Sequence, residues 1–212
     1  MPNTNIEPTK EQFSAYMGAF NYFNEKLFQN RLPQILLNLS RRAKAYGFFA
    51  PERWKNNGVI THEISLNPSL MERESRDLFS TLVHEMCHLE HHENGEMQSK
   101  KGYHNKEWGG MMKAVGLHPS ANGLPGGRET GFHMTHYIVD GGPFDLAFKA
   151  MPSEHLLPWA CHIEPEKVTV AKKRSKYHCA ACDFNVFSSK EGLSLLCGEC
   201  KNPIVEAPQK DA

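Results

Sequence analysis

The sequence lacks a net charge: 24 Lys and Arg balance 24 Asp and Glu across 212 residues. That removes the global field that would gather nucleic acid or an anionic membrane, and leaves any basic surface local. It also lacks long apolar runs; none approaches the roughly 18 residues of a membrane span. Met1 to Lys10 has neither the basic start nor the apolar centre of a secretory signal, and carries Glu7. No internal repeat is present. A cytoplasmic protein is expected, with nucleoid association compatible. Cysteines are few, six in all, and in a reducing compartment they read as thiols or metal ligands before disulfides. What is there, 40% hydrophobic and 23% charged residues, suits one good-sized core with an appendage.

The periodicities predict an α+β chain. Thr9 and Gln12 form a capping-box pattern, and Phe13, Met17, Phe20, Phe23 and Leu27 follow at helical steps to about Asn30. Three strand-like runs come next, at 34–40, 45–50 and 59–66, with Asn56-Asn57-Gly58 as a hairpin turn before the last. In that last run His62 shares the parity of Ile60, Ile64 and Leu66, which reads as a satisfied sheet histidine. Helices are predicted over about 75–92 and 105–115. From 120 to 166 the texture turns Gly- and Pro-rich, with a strand-like 134–139 and a helical turn near 144–150. This is a lobe packed on the main domain or an extended connector. The domains expected are 8–118, 119–171 and 172–206.

The central helix reads His84-Glu85-Met86-Cys87-His88, an H-E-x-x-H pattern. Histidines four apart share one helix face and can grip one Zn²⁺, and Glu85 between them can reach a metal-activated water. Leu78, Phe79, Leu82, Val83, Met86 and Leu89 would form the core side. A catalytic zinc needs a third protein ligand. His91 and His92 continue the same helix, where three ligands in a row close poorly round one ion. Glu107 would give a two-His, one-Glu site. His104, sixteen positions past His88 and just before the next helix, can fold back over the first, and is favoured. Glu85 would then act as general base in peptide-bond hydrolysis. Tyr103, His133 and Tyr137 are oxyanion-stabilising candidates by residue type alone. Cys87 reads as a small core residue and Cys161 as structural.

Cys179-x-x-Cys182 and Cys197-x-x-Cys200, fourteen residues apart, match a tetrahedral Cys₄ zinc ribbon. Phe184, Val186 and Phe187 would form one of its strands, and Leu193, Leu195 and Leu196 the return. The preceding Lys172, Lys173, Arg174 and Lys176 could contact DNA phosphates or simply make a solvated linker.

Glu63-Ile64-Ser65-Leu66-Asn67-Pro68, then Thr81 to His88, then His104-Asn105-x-x-Trp108 and the cysteine ribbon together resemble the SprT-like zinc metalloprotease family, in a bacterial or phage type with a C-terminal ribbon. The likeness covers 8–118 and 172–202. The family includes Spartan, which digests DNA–protein crosslinks. The resemblance implies a zincin-like core of the minigluzincin kind, with His84, His88 and His104 on a catalytic zinc and Glu85 as base. It also implies a protein substrate and often a DNA partner. The Gly-Pro-rich stretch departs from the compact family core. The competing reading is a non-proteolytic, nucleic-acid-associated adaptor with two structural zincs, a role in which Glu85 would have no use.

Overall fold

A computed structural model describes residues 6–42, 45–97, 99–100, 102–161 and 174–207. Lys172 and Lys173 lie outside them. The chain divides into two compact units, Met1–Glu164 and Pro165–Ala212.

The first unit begins with helix α1, Pro8–Phe28. The Thr9 capping box does not form: Pro8 is the first helical residue and Glu7 takes the N-cap position without a side-chain bond. Proline suits that place because the first N–H of a helix is unpartnered and its φ is preset. Thr9 is thereby drawn inside the helix. One face of α1 buries Tyr16, Ala19, Phe20 and Phe23. At its end the buried Asn24 side chain donates to Leu32 O (3.0 Å) and accepts from Leu32 N (3.2 Å), so the chain turns back at a fixed angle.

Strands β1 (Leu36–Leu39), β2 (Gly47–Asn56) and β3 (Val59–Leu66) form a sheet of order β1-β3-β2. β1 runs parallel to β3 and β2 antiparallel to it. Asn57 and Gly58 both have positive φ (47° and 86°), the geometry that lets a two-residue turn follow the twist of its strands. β2 is longer than the predicted 45–50 and continues past Pro51 through a register shift between Ala50 and Trp54. The predicted alternation of β3 fades toward its end, where Glu63, Ile64, Ser65 and Leu66 are all buried. Glu63 is tolerated there because Asn38 Nδ2 (3.2 Å), Trp54 Nε1 (2.7 Å) and Arg53 Nε (3.0 Å) close over its carboxylate.

Helix α2 (Ser75–Asn94) packs on this sheet. Strand β4 (Tyr103–His104) leads into α3 (Lys106–Ala114), whose N-cap Asn105 accepts a hydrogen bond from Trp108 N at 2.8 Å. Strand β5 (Leu117–Ser120) pairs with β7 (Thr135–Ile138), and β6 (Gly131–Phe132) pairs with β4. Helix α4 (Pro143–Lys149) completes the unit. Phe144 and Met134 join the same core as α1 and α2, and Phe23 meets Phe79 and Phe144 at 5.9 and 5.7 Å between ring centres. Each buried aromatic of this kind contributes about 1.5–3 kcal/mol. The described part of the Gly-Pro-rich stretch is therefore packed against the main core.

The second unit has strands β8 (Ser175–Cys179), β9 (Phe184–Ser188), β10 (Leu195–Leu196) and β11 (Pro203–Glu206), in the antiparallel order β10-β11-β8-β9. The expected pairing of the Phe184 strand with a leucine return strand is not formed. β8, which brings Cys179, takes the place beside β9, and Leu195–Leu196 pairs with β11 instead. Tyr177 explains the preference: it is fully buried on β8, and its hydroxyl donates to Lys190 O (2.9 Å) and accepts from Leu193 N (3.1 Å). The described residues are thus mixed α+β: four helices and several small sheets, with a C-terminal cysteine cluster. None of their helices is long and apolar enough to cross a membrane.

Candidate metal centre

α2 places His84 and His88 one turn apart on the face that looks away from Leu82, Val83 and Met86. β4 brings His104 over them. One ligand atom from each of the three lies within 4.8 Å of the others, and Nε2 of His88 stands 3.1 Å from Nε2 of His104. Two nitrogens on one tetrahedral zinc, each at about 2.0–2.1 Å, sit roughly 3.3 Å apart. The protonation pattern also fits. Nδ1 of His104 faces Gly131 O at 3.0 Å, so it must be the N–H, and in the neutral ring Nε2 keeps its lone pair. Trp108 backs the cluster, stacked on His88 at 5.1 Å and edge-on to His104 at 4.3 Å.

Burial holds these rings neutral, as ligation requires. His84 is pushed well below the usual histidine range by burial and then by the neighbouring imidazoles. His88 is lowered to about 3, chiefly by burial, and His104 is lowered too, with its bond to Gly131 opposing the shift. Glu85 is 7% exposed, and burial raises its carboxyl to about 8 against the opposing pull of the Phe49 N–H and the Arg42 charge. A cation beside it would return it toward the carboxylate.

The other third-ligand candidates are placed elsewhere. Both Glu107 oxygens accept backbone N–H groups, from Glu96 and Met97 at 2.8 Å, and His91 Nε2 pairs with Glu107 at 3.3 Å. His92 stands edge-on to His62 at 5.0 Å. His62, His92 and Glu93 are themselves close enough to suggest a metal group. However, Nδ1 of His62 accepts the Glu52 N–H at 2.9 Å, so in the neutral ring the proton is on Nε2 and points at Glu93, 3.0 Å away. His62 is a sheet histidine with both nitrogens engaged.

The three histidines and Glu85 lie on the floor of a cleft of about 1440 Å³, bordered by Arg42, Phe48, Phe49, Tyr103 and His133. Of the oxyanion candidates, Tyr103 and His133 therefore border the cleft. Tyr137 does not; it stacks on His118 at 4.9 Å. Its neighbour His136 faces the site, with Nδ1 3.0 Å from Nδ1 of His84 and Nε2 2.9 Å from Ser80 Oγ. His136 was missed from sequence because a four-residue strand carries too little alternation to tell its faces apart.

In the second unit, the sulfurs of Cys179, Cys182, Cys197 and Cys200 lie within 4.8 Å of one another, with Cys179–Cys200 at 3.6 Å and Cys182–Cys197 at 3.9 Å. Four thiolates at about 2.3 Å from one tetrahedral ion would be roughly 3.8 Å apart. The N–H groups of Cys200 and Glu199 draw Cys197 down to about 7, while sharing with Cys200 and Cys197 pushes Cys182 up to about 12. Cys87 is buried in the core and Cys161 is half-buried. Arg174 and Lys176 are exposed beside the cluster.

Comparison with known proteins agrees with these features. The SprT-like family is matched over residues 18–130, more than half the chain. A Salmonella typhimurium protein described as an uncharacterized protein in the mucB 3′ region is 37% identical over 59 residues, which span 27% of this chain and 80% of that protein. No solved structure matches.

Proposed function

This chain belongs to the SprT-like family, and on that premise we propose that it is a zinc-dependent endopeptidase with a zincin-like core, acting on proteins bound to DNA. The observation that carries the reading is the convergence of three neutral imidazoles, with ligand atoms within 4.8 Å, beside a buried Glu85 on the floor of an open cleft. A structural site would have no need of the glutamate or of the opening.

Zinc bound by His84, His88 and His104 supplies Lewis acidity, activating water and polarising a carbonyl. The rest falls to the chain's own groups. Glu85 takes a proton from the attacking water onto its carboxylate and returns it to the departing amine, so no covalent acyl intermediate is needed. The Phe49 N–H fixes the carboxylate for both transfers. Trp108 walls the imidazoles from behind and keeps water on the cleft side. β2 is the edge of its sheet and borders the cleft, so an extended substrate segment can lie along it. His133 or Tyr103 reaches the carbonyl oxygen from the opposite wall.

A second zinc on the four cysteines holds the C-terminal ribbon together. Lys172, Lys173, Arg174 and Lys176, close to its first knuckle in sequence, contact DNA phosphates, bringing the protease to its substrates; DNA affinity should then fall steeply with salt.

The test is cleavage of a loosely folded DNA-binding protein by the purified chain. Glu85→Gln should lower the rate by about 10²–10⁴-fold or more with metal content unchanged. Wild-type cleavage by that variant would sink the mechanism.

A further inference from the structure

His136 lines the cleft, yet both of its ring nitrogens are engaged within the protein. Its surroundings fix every proton along a line of four groups. Ser80 Oγ donates to Asp77 O at 2.8 Å, since a carbonyl can only accept. The hydroxyl proton is thereby committed, so at the 2.9 Å contact Ser80 Oγ accepts and His136 Nε2 donates. A neutral His136 then has its lone pair on Nδ1, which faces Nδ1 of His84 at 3.0 Å. Nδ1 of His84 must carry the proton and donate it. What remains on His84 is an Nε2 lone pair, turned away from His136.

We propose that His136 is a positioning residue which, through the chain Asp77–Ser80–His136–His84, locks His84 in the one tautomer and ring orientation able to ligate a metal through Nε2. The inference rests on His84 being a ligand, as the proposed function has it. His136 lies outside the cluster of ligand atoms formed by His84, His88 and His104, and with both nitrogens occupied it has no donor left for an oxyanion. The three ligands are then treated in different ways. His104 is oriented by a backbone carbonyl, Gly131 O. His84 is oriented by another side chain, 52 residues on in the sequence, and that chain reaches back to its own helix through Ser80. The outer partner of a ligating imidazole commonly governs metal affinity by about 10- to 100-fold.

The test uses the full-length protein loaded with Co²⁺. Affinity is read by chelator competition, and site geometry by the d–d bands of the histidine site, apart from the thiolate charge-transfer bands of the cysteine cluster. His136→Phe keeps the ring volume and removes the acceptor, and should weaken metal binding at the histidine site by about 10- to 100-fold with altered d–d bands. His136→Gln offers an amide oxygen to His84 and an amide N–H to Ser80, and should recover most of the affinity. Ser80→Ala, which unpins the His136 tautomer, should cost a smaller factor, about 3- to 10-fold; it decides the matter should the phenylalanine variant fail to fold. Wild-type affinity and spectrum in His136→Phe or in Ser80→Ala, or a glutamine variant as weak as the phenylalanine one, would overturn the inference. A His84→Ala control separates the two claims. If it loses the metal while His136→Phe keeps it, the positioning role alone falls; if it keeps the metal, the metalloprotease reading falls first.

Discussion

The two metal-capable clusters stand in opposite relations to their surroundings. The histidine cluster is mounted on an extensive apolar core of Phe20, Phe23, Phe79, Leu82, Trp108, Phe144 and their neighbours. Its rings are oriented by hydrogen bonds to Gly131 O and His136, and it opens on a cleft. The cysteine cluster has no such foundation. Among the described residues, two of the four buried members of its core, Cys179 and Cys197, are themselves ligand candidates, and Tyr177 and Ile204 are the other two. In the first unit a metal would be added to a finished structure. In the second a metal would take the place of the core.

Cys197→Ser breaks the comparison at its weakest point and carries the largest expected effect. A structural zinc contributes about 10–16 kcal/mol of folding energy in small modules. The substitution, or a strong chelator, should melt residues 174–207 and leave α1–α4 folded, seen as loss of amide protection confined to the second unit. Equal loss of protection in both units would erase the distinction.

A smaller effect sharpens the first half of the comparison. Burial lifts Glu85 from 4.5 to about 8, so the metal-free fold prefers the protonated form. Its contribution to stability is fully present below the unfolded value near 4.5 and is lost as pH rises through about 8. Relative to Glu85→Gln, metal-free wild type should therefore lose stability across that window, on the order of a few kcal/mol, while the histidines with lowered values act alike in both proteins. Thermal melts of both proteins at intervals from pH 5 to 9 check this, and parallel curves would refute it.

The smallest effect concerns the start of α3. Asn105→Ala removes the acceptor for Trp108 N and should cost about 1 kcal/mol, or roughly 2–4 °C in the main melting transition. Metal affinity should fall far less than in His104→Ala. A loss as large as that variant's would mean that the ligand geometry depends on the cap itself.

What the sequence revealed follows the range of the interactions involved. His84, Glu85 and His88 are legible because helical spacing is local. His104 is legible because the start of α3 follows it at once. The C-x-x-C pairs are legible because knuckle geometry is local too. His136 was not, since its meaning depends on a partner 52 residues away and on a strand too short to show a period. The Thr9 capping box failed because Pro8 competes for the same turn with a stronger local preference. The ribbon's strand order failed because Tyr177, ahead of the first knuckle, supplies the one large buried side chain. The SprT-like family was legible through its combination of motifs, no one of which would have sufficed.

The bond from the Phe49 N–H to Glu85 has a consequence for solubility. In an antiparallel ladder a residue sends its N–H and C=O to the same side, so Phe49 and Gly47 face outward on the free edge of β2, while Phe48 and Ala50 face β3. Of the two outward N–H groups along Gly47–Ala50, one is spent on Glu85, and the next residue, Pro51, has none. Over this stretch the edge therefore offers more carbonyls than donors. A second copy's edge would find fewer donors there than a full ladder uses, which weakens edge-to-edge self-association without covering the strand.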